Sequence, residues 1–147
     1  MKDKINIIAV SSIYKFKAKD WDNCNKNGNV FLSYNFLKLL EDSNSIGGNT
    51  GWQPVYFCLK VNNKITAIVP SFIKYHSQGE FVFDHSWAQA YQSLGLNYYP
   101  KLLIASPFSP VTGKRILVTK NINTLIKKKL FDFIKDFCKE KKISSIH

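Results

Sequence analysis

Arginine is almost missing from this chain: Arg115 is the only one among 21 basic residues. Cysteine is nearly as scarce. Cys24, Cys58 and Cys138 are odd in number and far apart, with no C-x-x-C pair, which excludes a disulfide framework and the common zinc spacings. His76 and His85 have no second histidine at helical metal spacing, so no metal site is expected. No apolar run approaches the ~20 residues of a membrane-spanning helix. The apolar stretch near the N-terminus is about four residues long, against roughly 7–15 for a secretory signal. There is no internal repeat, no low-complexity segment and no glycine-rich turn opening a helix. These absences predict one soluble cytoplasmic domain.

What the chain has in abundance is lysine, with a net charge of +11 over 147 residues. Asparagine, isoleucine, phenylalanine and tyrosine are plentiful as well, and all five residue types have A/T-rich codons. A biased genome that writes lysine wherever a basic surface is tolerated explains the charge without a dedicated nucleic-acid surface, and no specific nucleic-acid binding is expected.

The apolar pattern predicts a mixed α/β fold. Ile5–Val10 reads as a first strand within a weak leader, residues 1–30. Ser33 is placed to cap a helix over about 33–43, with Leu32 and Leu37 as a hydrophobic staple. Residues 54–61 and 65–73 alternate as two strands joined by Asn62-Asn63, a pair suited to a two-residue hairpin turn. Pro70 argues for an edge or a bulge in the return strand. Glu80–Asp84 reads as a third strand. Asp84 or Ser86 then caps a helix whose Trp87, Tyr91 and Leu94 share one face. Short strands at Lys101–Ala105 and Arg115–Thr119 precede a long helix, Asn121–Lys142, with a stripe running from Ile122 to Phe137. Cys58 and Cys138 fall on apolar positions and read as core. A last strand barely begins at residue 143, so the domain, 31–147, is expected to be incomplete at its C-terminus.

Several strings occur in an order that resembles a known family: Phe31-Leu32-Ser33, Gly51-Trp52-Gln53-Pro54, Gly79-Glu80-Phe81-Val82-Phe83-Asp84, Trp87-Ala88, Tyr98-Tyr99-Pro100-Lys101 and Pro107-Phe108-Ser109-Pro110-Val111-Thr112-Gly113-Lys114-Arg115. Over about residues 30–147 the chain resembles the N-terminal part of bacterial FemAB-like proteins. These are described as GNAT-type acyltransferases of peptidoglycan biosynthesis or recognition. The resemblance implies a GNAT-like antiparallel sheet flanked by helices, and transfer of an acyl or aminoacyl group to an amine. It implies acetyl-CoA or another acyl donor for the full-length protein, an aminoacyl-tRNA donor among them. The partners it implies are a missing C-terminal GNAT-like half and a small-molecule or peptidoglycan-precursor substrate. Gly47-Gly48 follow a helix rather than open one, so no cofactor is expected to bind this chain. The other reading is a recognition module that keeps the fold without a donor site.

Asp84 and His85 are the catalytic candidates, an acid and an imidazole at a strand end able to take a proton from an amine. Tyr98, Tyr99 and Lys101 form an aromatic and basic patch suited to a substrate. Thr112 and Arg115 lie in the proline-bounded loop. The lone arginine is expected to anchor an anionic substrate group or to pin a carboxylate such as Asp84 or Glu80. The account of the charge is checked by a salt titration of nucleic-acid binding: any binding should be weak and gone by ~200 mM salt, whereas tight binding above that would contradict it.

Overall fold

The computed structural model describes residues 3–26, 28–120 and 122–147. Their centre is a hairpin. Strand β2 (Trp52–Val61) pairs antiparallel with β3 (Lys64–Lys74), and Asn62 and Asn63 both take positive φ, 51° and 64°, in the turn between them. Asparagine tolerates that conformation, and the resulting turn matches the right-handed twist of the strands. β1 (Ile5–Val10) adds to the outer side of β2 in antiparallel register, with Ile5 opposite Val61 and Val10 opposite Tyr56.

The other side of β3 is shared. β5 (Leu117–Val118) pairs with Ala67 and Ile68, while β4 (Lys101–Leu103) pairs with Phe72, Ile73 and Lys74. Pro70 falls in the gap between these two partners. The expectation of an edge therefore holds only locally: β3 is central, and its bulge lies at Thr66, where the register shifts opposite Leu59 and Lys60. Residues 144–147 run parallel beside β4, with the Leu102 N–H donating to Ser145 O and the His147 N–H to Leu102 O.

Alternation sends the two faces of the hairpin into two cores. Tyr56, Cys58, Ile68 and Phe72 pack beneath α1 (Ala18–Cys24) and α2 (Tyr34–Asp42), against Trp21, Leu32 and Leu37. Phe57, Leu59, Ala67 and Val69 pack beneath α4 (Thr124–Glu140), against Leu130, Ile134 and Cys138. The Ser33 hydroxyl accepts from the Phe36 N–H, as its capping role requires. Asn123 caps α4 in the same way. The helix is therefore shorter than expected, and Asn121 lies outside the described residues. Leu125, which falls within the expected stripe from Ile122 to Phe137, is exposed. All three cysteines are buried and free, and burial pushes their thiols up, Cys24 to about 12 and the other two to about 11.

Two sequence expectations fail around residues 80–96. Glu80–Asp84 forms no strand, and Phe81, Val82 and Phe83 stand exposed. In an extended strand residues four apart are about 13 Å apart. Here the carboxylates of Glu80 and Asp84 converge on a single ammonium, so the segment must curl. Helix α3 (His85–Ser93) does form, but it buries no residue, and Trp87 and Leu94 face solvent instead of a core.

Residues before 30 belong to the same body. Ile13, Phe16 and Trp21 lie in the first core. Their loop is tied to α2 by Glu41, whose carboxylate accepts from Ser12 Oγ (2.6 Å), the Ile13 N–H (2.7 Å) and the Tyr56 hydroxyl (3.0 Å). Removing that acceptor strands three protein donors. Glu41→Ala should cost about 2–4 kcal/mol in chemical denaturation, with Glu41→Gln intermediate. A loss under ~0.5 kcal/mol would show the tie to be idle.

Candidate functional site

Two lysines stand opposite each other across the β3–β4 ladder, Lys74 and Lys101, and both are essentially inaccessible to solvent. Like charges in directly opposed positions destabilise a sheet, and a buried charge without a partner costs far more. The loop after β3 resolves both problems. Lys101 Nζ donates to Glu80 Oε2 at 2.8 Å and also to Asp84 Oδ2. Lys74 Nζ donates to the Gln78 carbonyl oxygen at 2.9 Å and sits 3.9 Å above the Trp52 ring. The Trp52 indole N–H donates to the same carbonyl, at 3.1 Å.

A tight turn, with the Glu80 N–H donating to Ser77 O, aims the loop. Gly79 takes φ 77° there, and a Cβ on it would lie 2.8 Å from Trp52 Nε1, so no other residue fits. The Ser77 hydroxyl accepts from the Asp84 N–H at 3.1 Å and is also hydrogen-bonded to the Tyr99 hydroxyl.

The protonation states follow from this packing. Burial pulls Lys74 down to about 8, with Glu80 opposing and Lys101 adding to the effect. Burial also works against Lys101, but its hydrogen bonds to Asp84 and Glu80 outweigh that and hold it above the ordinary lysine range. Burial pushes the Asp84 carboxyl up, but the Lys101 ammonium and the Tyr98 hydroxyl, 2.9 Å away, more than offset it and leave it below the usual range. Burial and Lys101 lower His147 against the pull of Asp84 and Glu80, so its ring is neutral near pH 7.

Two concavities meet at Asp84 and His147. One, of about 250 Å³, is walled by Trp52 and Phe108 over Glu80, Lys101 and Ser106. The other, of about 440 Å³, is walled by Trp87, Tyr91 and Tyr98. In the first, Glu80 Oε1 and Ser106 Oγ are buried with no hydrogen-bond partner in the protein. Buried polar groups are normally satisfied, and two lining one cleft mark a place where a ligand or ordered water completes the bonding.

The sequence candidates disperse. Asp84, Tyr98 and Lys101 do come together, but Tyr98 is buried against Tyr91, with ring centroids 5.1 Å apart, and offers its hydroxyl rather than a stacking face. Tyr99 braces Ser77. His85 is exposed and stacked on Phe83, turned away from the cluster. The imidazole beside Asp84 is His147, whose Nε2 is 2.8 Å from Ser145 Oγ and 3.5 Å from the Tyr98 hydroxyl. Asp84 begins α3 through its carbonyl, which accepts from the Ala88 N–H, but its side chain caps nothing because Lys101 holds it.

Arg115 pins neither carboxylate. Its guanidinium donates to the carbonyls of Val111 and Gly113 in its own loop. β5, just after it, pairs with Ala67 and Ile68, six or seven residues along β3 from Lys74, a separation of about 20–23 Å at strand rise. Thr112 lies in that loop too, away from the cleft. Trp52, Ser106 and His147 were missed. No spacing marks them, because the site is assembled from β2, the 77–84 loop, β4 with the loop that follows it, and residues 144–147.

The family model for FemAB-like proteins of peptidoglycan biosynthesis/recognition matches residues 12–147. No curated protein and no solved structure matches the chain.

The depressed pKa of Lys74 has a signed consequence. Between about pH 8 and the unfolded value of 10.5 the unfolded chain binds more protons, so stability rises with pH there. Relative to Lys74→Met, the wild type should gain about 1–2 kcal/mol in denaturant unfolding between roughly pH 7.5 and 9.5. A flat difference would mean that the amine is ordinarily charged.

Proposed function

We propose, taking as premise that this chain belongs to the FemAB-like family, that its cleft over Lys101 binds the amine-bearing acceptor of an N-acyl transfer to a peptidoglycan precursor. The observation that carries this is Glu80 Oε1, a buried carboxylate oxygen with no partner, in a cleft walled by two aromatic rings. An ammonium supplies the donor that oxygen lacks, and Trp52 and Phe108 give a cation an aromatic wall.

In the transfer, the acceptor nitrogen attacks the carbonyl carbon of an acyl or aminoacyl ester or thioester. The C–N bond forms and the bond to the donor oxygen or sulfur breaks. The nitrogen, bound as an ammonium, gives up one proton before the attack and a second as the C–N bond forms; the leaving atom takes one up and water carries off the other. Asp84, held low by Lys101 and Tyr98, stays ionised as an anchor. His147, neutral and lining both concavities, is the group we assign to take the proton. The donor is assigned to residues outside this chain. The adjacent glycines Gly47 and Gly48 follow α2, so they form no phosphate cradle at a helix N-terminus. A GNAT-like fold fits the antiparallel sheet and its flanking helices.

The second reading, recognition without transfer, is favoured by one observation: Asp84, a carboxylate lining the cleft, is a tied anchor rather than a base. Calorimetry with an amine-bearing muropeptide and its N-acetylated form tests the binding step common to both. Acetylating the amine should weaken binding tenfold or more, about 1.4 kcal/mol, and Glu80→Gln should erase the preference. Equal affinity for the two peptides would overturn the assignment. Acyl transfer to the free amine by a longer protein containing this chain, read as a mass gain, separates the first reading from the second.

A further inference from the structure

The 144–147 segment carries a side-chain pair that the Lys101 cleft leaves unused. Its backbone is fixed on β4: the Leu102 N–H donates to Ser145 O at 2.9 Å, the His147 N–H to Leu102 O at 2.8 Å and the Ile104 N–H to His147 O at 2.8 Å. In an extended chain residues two apart share a face, so Ser145 and His147 stand side by side. Their side chains meet, with Ser145 Oγ 2.8 Å from His147 Nε2. Ser145 is half-buried and His147 exposed, so the contact is open to a ligand. It lies on the concavity of about 440 Å³ that Trp87, Tyr91 and Tyr98 wall with aromatic surface.

The neighbouring groups leave this pair free to act. The Ser145 hydroxyl has one proton, and His147 Nε2 is nearer and more basic than Ser144 Oγ, 3.3 Å away. The Ser144 hydroxyl is itself spent on the carbonyls of Tyr98 and Pro100. The Tyr98 hydroxyl donates to Asp84, so it does not compete for the imidazole lone pair, and the imidazole is neutral near pH 7. Leu102 bonds to residues 145 and 147, so the Ile146 N–H faces away from β4, and among the described residues nothing accepts from it. The N–H that follows a serine nucleophile is a common oxyanion donor.

We propose that Ser145 and His147 are a nucleophile and its base, and that they hydrolyse carboxylic esters with an apolar or aromatic body through an acyl group held on Ser145 Oγ. Ser145 Oγ attacks the ester carbonyl carbon while its proton passes to His147 Nε2. The bond to the alcohol oxygen breaks, and that oxygen takes the proton from Nε2. Water then attacks the acyl carbon and gives a proton to Nε2, which returns it to Ser145 Oγ as the acid leaves. No amine and no group of the Lys101 cleft enters these steps, so the activity goes beyond the acyl transfer proposed above.

The test follows p-nitrophenyl acetate hydrolysis, together with labelling by an alkyl fluorophosphonate mapped by peptide mass spectrometry. The label should sit on Ser145. Ser145→Ala should abolish both label and turnover with an unchanged circular dichroism spectrum, and His147→Gln should slow both about a hundredfold. Turnover that survives Ser145→Ala would trace to the lysine surface and overturn the proposal. Absence of label, label at another residue, or rates untouched by His147→Gln would overturn it as well.

Discussion

A buried ammonium organises one end of this molecule. Lys101 begins β4 at a position with no access to solvent, and a charge there survives only if acidic groups come to it. Glu80 and Asp84 come, from four residues apart in the chain, and that convergence dictates the shape of everything between β3 and β4. The loop curls, its three apolar residues turn outward, and α3 starts where Asp84 is fastened. Between Lys74 and Lys101 the chain has no lysine or arginine, and its only two acids point inward. On a chain of net charge +11 this leaves an uncharged, aromatic face around the cleft.

The two opposed lysines are handled by different physics. Lys101 is given counter-ions and stays charged. Lys74 is given a carbonyl and an indole face, and burial draws its pKa toward neutrality. A pair of well-packed apolar residues would do the same structural job at no electrostatic cost, since buried ion pairs often add little net stability. Their presence, together with the unpartnered oxygens of Glu80 and Ser106, points to a cleft shaped for what it binds.

The hairpin was legible because its signals are local. Alternation, Asn62-Asn63 and the Ser33 cap each act within a few residues, and each appears where expected. The family was legible from its strings. The segment 80–84 was misread because its apolar alternation looks like a strand, whereas a tertiary contact with a residue about twenty positions later decides its path. The same contact took Asp84 away from capping and from His85. Of the two roles expected of Arg115, the pairing with Asp84 or Glu80 fails, because its distance from the carboxylates depends on which stretch of β3 each short strand joins. His147 and Ser106 carry no signature at all, since a site built from four separate segments leaves none.

The most direct measurement is a double-mutant cycle between Lys101 and Asp84, read by denaturant unfolding of the wild type, Lys101→Met, Asp84→Asn and the double variant. If Lys101 is the centre on which the loop and cleft depend, each single change is costly and the double variant recovers much of the loss, with a coupling of about 2 kcal/mol or more. Additive losses, with coupling under ~0.5 kcal/mol, would mean that the loop takes its path for other reasons and that the account of the site is wrong.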